Sequence, residues 1–377
     1  MSRSILVLLL AAAPVWADEN LDQAVDETVI HYQLYLDAGY AYSSNQPANN
    51  LWRTKTTTFK LDWLEVNLAM AQAWKEPTAS SRWGFEFGLQ TGVDTELADP
   101  GSDPPIGEAV WNSEYVRYIY RANFSYLLPW GEGLQLTAGL FQGYPAYESF
   151  LALENPTYTR GYLTDYVPYF LIGIRGAYPV TDTLDLTLFV VTDYDYLVHK
   201  NDQPGYGLQT DWRITSEITY TQNFYAGPEQ ENTDFDYWRW FSDSVVEYRS
   251  EPLVLAASFD IGTEKQSLLP GNPRSDWWGA ALWARWAIDK HWWIGCRPEI
   301  YSDPDGLMTG ARQEIVAFAV TAKYWFLPDS PHSLVACLEY RYDRSTGDGG
   351  GFYSGAGNEL VPDQHLVILS LVWSFSE

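Results

Sequence analysis

Apolar and polar residues alternate along most of this chain. In "RWGFEFGLQTGV", Trp83, Phe85, Phe87, Leu89 and Val93 share one face, while Arg82, Glu86 and Gln90 share the other. In "YVRYIYRANFSYLL", Val116, Tyr118, Tyr120, Ala122, Phe124 and Tyr126 alternate with Arg117, Arg121, Asn123 and Ser125. In "LDLTLFVV", Leu184, Leu186, Leu188 and Val190 oppose Asp185 and Thr187. A period of two is that of a β-strand with one apolar and one polar face. Sixteen such runs are predicted, centred on 30–43, 57–74, 82–95, 114–128, 133–143, 163–179, 184–195, 206–213, 217–226, 237–249, 253–263, 277–288, 292–302, 313–327, 333–344 and 364–376. The join near Ile214-Thr215-Ser216 is the least marked, because no Gly or Pro stands there.

The links sort by length. Short ones fall at Lys75–Ser81, Pro129–Gly133, Val180–Thr183, Arg213–Ser216, Arg249–Leu253, Asp289–His291 and Pro328–His332. Between them lie longer, Gly- and Pro-rich links at Ser44–Thr54, Ala98–Asn112, Gly143–Gly161, Tyr196–Gly205, Gly227–Asp236, Gly262–Asp276, Asp303–Arg312 and Ser345–Gln364. Strict alternation of tight turns and long loops, with an even strand number, is the signature of an outer-membrane barrel. A β-sandwich has no reason to sort its loops by parity. The expected fold is therefore all-β: a single-chain antiparallel transmembrane β-barrel of about 16 strands, with short periplasmic turns and long extracellular loops.

The stretch "WWGAALWARWAIDKHWW" (277–293) follows this logic. Trp278, Ala280, Leu282, Ala284, Trp286 and Ile288 face one way, as do Trp292, Ile294, Cys296 and Ile300 after the turn. Trp278 to Trp286 spans about 27 Å of strand at ~3.4 Å per residue. Tilted by about 40°, that is ~20 Å of height, close to the apolar belt of such barrels. Trp278 is expected in the outer aromatic girdle, Trp286 and Trp292 in the inner one, where rings suit a boundary between hydrocarbon and water. The other face, with Trp283, Arg285, Trp293, Arg297 and Glu299, would look into the lumen. Pro298 and Pro168 cannot donate to a ladder, so a local bulge is expected at each.

Composition supports a membrane protein reached by export. The N-terminus "MSRSILVLLLAAAPVWADEN" joins Arg3, an apolar run and Val15-Trp16-Ala17, a signal-peptide pattern with cleavage expected after Ala17. Residues 1–17 would be the leader and 18–377 the barrel. Thereafter no apolar run approaches the length of a membrane helix, yet the chain holds 18 Trp and 27 Tyr. Its net charge of −26 argues against nucleic acid and anionic surfaces as partners. Cys296 and Cys337 fall on opposite faces and form no framework, and the five histidines show no metal-ligand spacing. No cofactor or metal is expected.

The residues "GLFQGYPAYESF…ENPTYTRGYL" (139–163), "GAYPVTDTLDLTLFVV" (176–191), "AGPEQ" (226–230), "RPEIYSDPDG" (297–306) and "EYRYDRS" (339–345) resemble the OmpL-like porins of the β-barrel porin-2 family. The likeness runs over most of the chain and implies an outer-membrane pore of a Gram-negative bacterium, with no catalytic residues to transfer. Such barrels usually end on an aromatic residue; here Phe375 stands two places before the end.

A barrel of this width leaves an aqueous channel unless something fills it. The third long loop, with Glu148, Glu154 and Arg160, is the candidate constriction. Facing it, Arg82, Arg117, Arg121 and Arg175 would form a basic wall and set up a transverse field; an ordinary solvated loop is the alternative. Glu86, Arg285, Arg297, Glu299, Glu339 and Arg341 complete the expected pore lining. External carboxylates, Asp99, Asp103, Glu108, Glu229, Glu231, Asp234, Asp236, Asp303 and Asp305, predict a rim that prefers cations. Asp303-Pro304-Asp305-Gly306 lacks the ligand spacing of an EF-hand loop. "GDGGGFYSGAG" (347–357) shares only its glycines with a phosphate loop and reads as a flexible external segment.

Passive diffusion of small hydrophilic solutes is thus the expected function, through a monomer or a homotrimer embedded in outer-membrane lipid. A sugar-selective channel using inward Trp283 and Trp293 is one rival. An outer-membrane enzyme is another, although no Ser/His/Asp grouping stands out. A soluble carbohydrate-binding β-protein fails on loop parity.

Overall fold

The structure, a computed structural model, describes residues 29–97, 116–194, 203–230 and 233–377. The proposed leader lies outside these residues, as do Asp99, Asp103, Glu108 and Glu231. Sixteen antiparallel strands form a closed barrel. The first half comprises β1 (His31–Ser43), β2 (Leu64–Lys75), β3 (Trp83–Thr91), β4 (Ile119–Leu128), β5 (Leu134–Gln142), β6 (Phe170–Thr181), β7 (Leu184–Val191) and β8 (Gly205–Arg213). The second comprises β9 (Ile218–Gly227), β10 (Arg239–Ser250), β11 (Leu253–Lys265), β12 (Arg274–Ala287), β13 (Trp292–Asp303), β14 (Gln313–Trp325) and β15 (His332–Thr346). A small hairpin, β16 (Phe352–Ser354) with β17 (Glu359–Val361), precedes β18 (Asp363–Ser376). β18 closes the barrel by pairing with both β15 and β1, so no edge is left open.

The alternation sorts side chains as a membrane barrel requires. Leu188, Leu282, Trp286, Leu338 and Leu369 are exposed on the outer face, whereas Trp277, Trp283, Arg297 and Arg341 are buried inside. The unmarked join after β8 is a turn made by a hydroxyl: Thr215 Oγ1 accepts from the amides of Glu217 (3.1 Å) and Ile218 (3.0 Å).

Five expectations need correction. Residues 57–63 do not begin β2. Phe59 and Leu61 are buried under other loops, and Thr58 and Asp62 adopt left-handed backbone (φ 50° and 55°), which no strand accommodates. Residues 163–169 likewise precede β6, as a one-turn helix (Tyr162–Asp165) and the segment holding Pro168. Tyr120 turns inward beside Arg121, because the β3–β4 register shifts between Gly88 and Leu89. Pro298 shifts no register: it pairs with Phe318 of β14, and its effect is confined to the β12 side, where the ladder is interrupted between Ala281–Glu299 and Ala284–Cys296. Finally, part of 347–357 is ordered as the β16–β17 hairpin, with Phe352 buried beneath it.

Candidate functional site: a lumen occupied by its own loops

The segment between β5 and β6 turns into the barrel instead of outward. Glu148–Ala152 and Asn155–Asp165 are all buried. Apolar packing holds the near side. Phe150 sits 5.1 Å from the Phe170 ring and 4.9 Å from Tyr169, and Tyr144 stacks on Phe189 at 4.1 Å. The far side is held by charge. Arg297 (β13) donates from Nη1 to Glu148 Oε1 (2.6 Å), to Thr157 Oγ1 (2.6 Å) and to the Thr159 carbonyl. Glu299 Oε2 accepts from the Tyr162 amide (2.7 Å). Glu339 Oε2 accepts from the amides of Tyr158 (2.7 Å) and Thr159 (3.1 Å). Arg341 (β15) donates to the Arg160 carbonyl (3.0 Å), and Lys323 (β14) to that of Asn155 (2.5 Å). A loop in the lumen loses water from its backbone groups, and these side chains replace it.

The predicted basic wall is only partly where it was expected. The loop's main cationic partners are Arg297, Lys323 and Arg341, on β13–β15. Arg121 is buried near the loop and donates to Gln142 (2.8 Å). Arg175 lies over Phe141 (5.2 Å), Arg82 bonds the Leu127 carbonyl (3.2 Å) at the short-turn mouth, and Arg117 sits beside Tyr118 before β4. Arg285 pairs with Glu251 (3.2 Å), and Glu86 accepts from Asn123 (2.6 Å). Trp283 and Trp293 are buried, against Tyr147 (4.8 Å) and Trp325 (4.1 Å), so they offer no free surface for a sliding sugar.

Burial alone would raise the Glu148 carboxyl; Arg297 and the Gly161 amide outweigh it and hold Glu148 below its ordinary value. Glu154 is different. Burial pushes it up to about 7, against hydrogen bonding from Ser149 and the pull of Arg121 and Lys323.

The first long loop (44–63) lies on top of the third. Lys55 forms an ion pair with Asp165, and Arg160 with Asp94, all four side chains being at most 1 % exposed. Thr57 Oγ1 donates to Asp165 (2.8 Å) and the Thr58 amide to Asp94 (2.6 Å). Desolvation lowers the Lys55 ammonium to about 8 despite Asp165. Arg160 stands among the residues the sequence singles out, but none of these pairings is legible there, because loop-to-loop pairing has no period. Asp243 and Asp260, a buried inward pair on β10 and β11 joined through Ser258 Oγ (2.9 and 3.1 Å), could have been found by strand parity alone.

The two mouths therefore differ. At the long-loop end the lumen is packed. At the short-turn end Glu86, Asn123, Arg175, Asp185, Asp211 and Glu247 remain partly exposed, a mixed polar vestibule in which Arg213 pairs with Asp185 (2.7 Å). The rim also changes. Asp234 and Asp305 are exposed, whereas Asp303 is buried and caps the amides of Leu307, Met308 and Thr309, and Glu229 accepts from Tyr225 (2.6 Å). Of the histidines described, His31 and His291 stack on Trp74 and Tyr324, and His332 and His365 lie tilted against Phe375 and Tyr342.

Gly295 of β13 marks how closely the third loop is seated. A Cβ there would stand 1.9 Å from the Pro156 carbonyl oxygen. Gly295→Ala is expected to push the loop off the wall and cost about 1–3 kcal/mol. A lower unfolding temperature in detergent, with the barrel's β-signal retained, is the result to look for; an unchanged one would mean the loop is not seated on β13.

Comparison with known proteins agrees with this architecture. A family model described as "Putative beta-barrel porin-2, OmpL-like" matches residues 29–375. No curated protein matches the sequence. Among solved structures, the outer-membrane channel DcaP of Acinetobacter baumannii is similar, with TM-score 0.54, 9% identity and coverage of 93% of this chain and 96% of that one. So are the anion-selective porin from Comamonas acidovorans (0.55, 10% identity, 92% and 99%) and the trimer form of OmpT from Vibrio cholerae (0.54, 9%, 93% and 99%). At these identities the likeness is one of fold.

Proposed function

We propose, from the premise that this chain belongs to the OmpL-like β-barrel porin-2 family and is an outer-membrane channel, that it passes small hydrophilic solutes by diffusion, with a preference for cations. The observation that carries this reading is the polar vestibule at the short-turn end of a sixteen-stranded barrel. Glu86, Arg175, Asp185 and Asp211 would line its path, and the third loop, through Glu148, Glu154 and Arg160, would constrict it. The cation preference rests on the net charge of −26 and on exposed rim carboxylates such as Asp234 and Asp305. Trp278, Trp286 and Trp292 would anchor the barrel at the two lipid interfaces. A leader ending at Ala17 would direct export. Assembly as a homotrimer is part of the proposal, OmpT of the same fold having a trimer form.

Single-channel recording of the purified protein in a planar bilayer, under a salt gradient, tests this. Stable steps with a reversal potential on the cation side are expected. An anion-side potential would remove the charge argument. Silence from a folded, heat-modifiable barrel would replace diffusion with a receptor role.

A further inference from the structure

The first long loop has the features of a hinged lid. Its neck is a small hairpin: the amides of Trp52 and Leu61 donate to the carbonyls of Phe59 (2.7 Å) and Asn50 (2.8 Å), and Leu51 bridges Lys60. Asn50 and Asp62, at the two ends of the neck, both hold left-handed backbone (φ 55°). Asn and Asp tolerate this conformation, which suits a pivot. Within the tip, Thr54 (φ 66°) and Thr58 (φ 50°) hold it too, and for β-branched residues it is a strained state kept only by surrounding contacts.

Those contacts run to other loops. Arg53 donates to the carbonyls of Gly351 and Gly349 (2.8 Å each), in the segment between β15 and β18. The Thr54 carbonyl accepts from Tyr166 Oη (2.9 Å). Thr56 and Thr57 both reach Asp165, Lys55 pairs with it, and Thr58 reaches Asp94. The tip thus rests on the third loop and its neighbours, with Lys55 and Thr57 buried at the centre of the packed mouth. A buried ion pair adds little net stability, because desolvation offsets most of the attraction, yet losing one member leaves a charge stranded. Such a pair makes a latch that holds while intact and fails when either partner is altered.

We infer that residues 51–60 form a hatch over the lumen, pivoting at Asn50 and Asp62 and latched by Lys55 on Asp165, and that its release opens the long-loop mouth. This rests on the channel reading but can be separated from it. The hatch also packs Trp52 on Arg341 (4.7 Å) and donates from Lys55 to the Arg160 carbonyl (2.6 Å). The third loop keeps its separate contacts to Arg297, Glu299, Glu339 and Lys323, so the hatch can lift without unseating it.

The first test reads position, independently of conduction. In folded protein, Thr57→Cys is labelled with a membrane-impermeant maleimide, alone and combined with Asp165→Asn. Removal of the latch charge is expected to speed labelling by roughly tenfold or more, as local opening becomes easier. Both proteins carry Cys296→Ala, because Cys296 is partly exposed, and buried Cys337 should stay unlabelled in each, which excludes general unfolding. Equal rates overturn the hatch. The second test reads the pore, comparing wild type in planar bilayers with Lys55→Gln and with a chain whose residues 53–58 are replaced by two glycines. Larger steps or a several-fold higher open fraction in the variants are expected. Identical steps in all three overturn the hatch while leaving the channel intact. Silence in all three, with fast labelling of the latch variant, would keep the hatch and remove the channel.

Discussion

Replacing Arg297 with methionine is expected to cost the folded barrel about 3–5 kcal/mol, the range for removing one partner of a buried ion pair. Arg297 is fully buried, and a single guanidinium joins β13 to Glu148, Thr157 and the Thr159 carbonyl. Without it Glu148 is left as an uncompensated carboxylate in the packed lumen, and burial then drives it to take up a proton. Adding Glu148→Gln should recover much of the loss, since the two residues act through one contact and their effects are not additive. Equilibrium unfolding in detergent or lipid, for both single variants and the double, gives the coupling. Simple additivity would mean that the third loop is held by something other than this pair.

Leu369→Arg should cost about 2–4 kcal/mol, as for a cation placed at the midplane of a lipid-facing strand. Leu369 lies midway along β18, is 60% exposed, and has Tyr40 and Leu338 as outward neighbours across the ladders. Thr219→Arg, at the short-turn end of β9 opposite Glu247, should be close to neutral, because that partly exposed inward face is already solvated. Unfolding free energies measured in bilayers compare the two directly. If both substitutions cost the same, the division into lipid and lumen faces is wrong.

The lipid-facing belt was legible because its chemistry is periodic. On β12 every second residue from Trp278 to Trp286 faces outward, and a strand has no other way to present one apolar face. Loop parity then implied closure, and β18 pairing with β1 completes it. The differences from the sequence reading have separate causes. Phe59, Leu61 and Leu163 are spaced like strand residues, but they are buried among loops, where apolar spacing carries no period of its own. Tyr120 was placed outward since one shifted register inverts the parity beyond it. Pro298 keeps its place in the ladder with β14 without a bulge.

By itself the sequence determined that this chain makes an even-stranded closed barrel with an apolar outer belt, since strand period, loop parity and aromatic placement are local properties that add up along the chain. It also singled out the third loop and its acids. What only the tertiary structure decided is how the lumen is used: that Glu148 meets Arg297, that Lys55 and Asp165 meet across 110 residues of chain, and that the two mouths differ in packing. Those partners are chosen by closure of the barrel, which brings distant loops into one confined, water-poor space. There, each buried charge or amide must find a partner among whatever the fold has delivered.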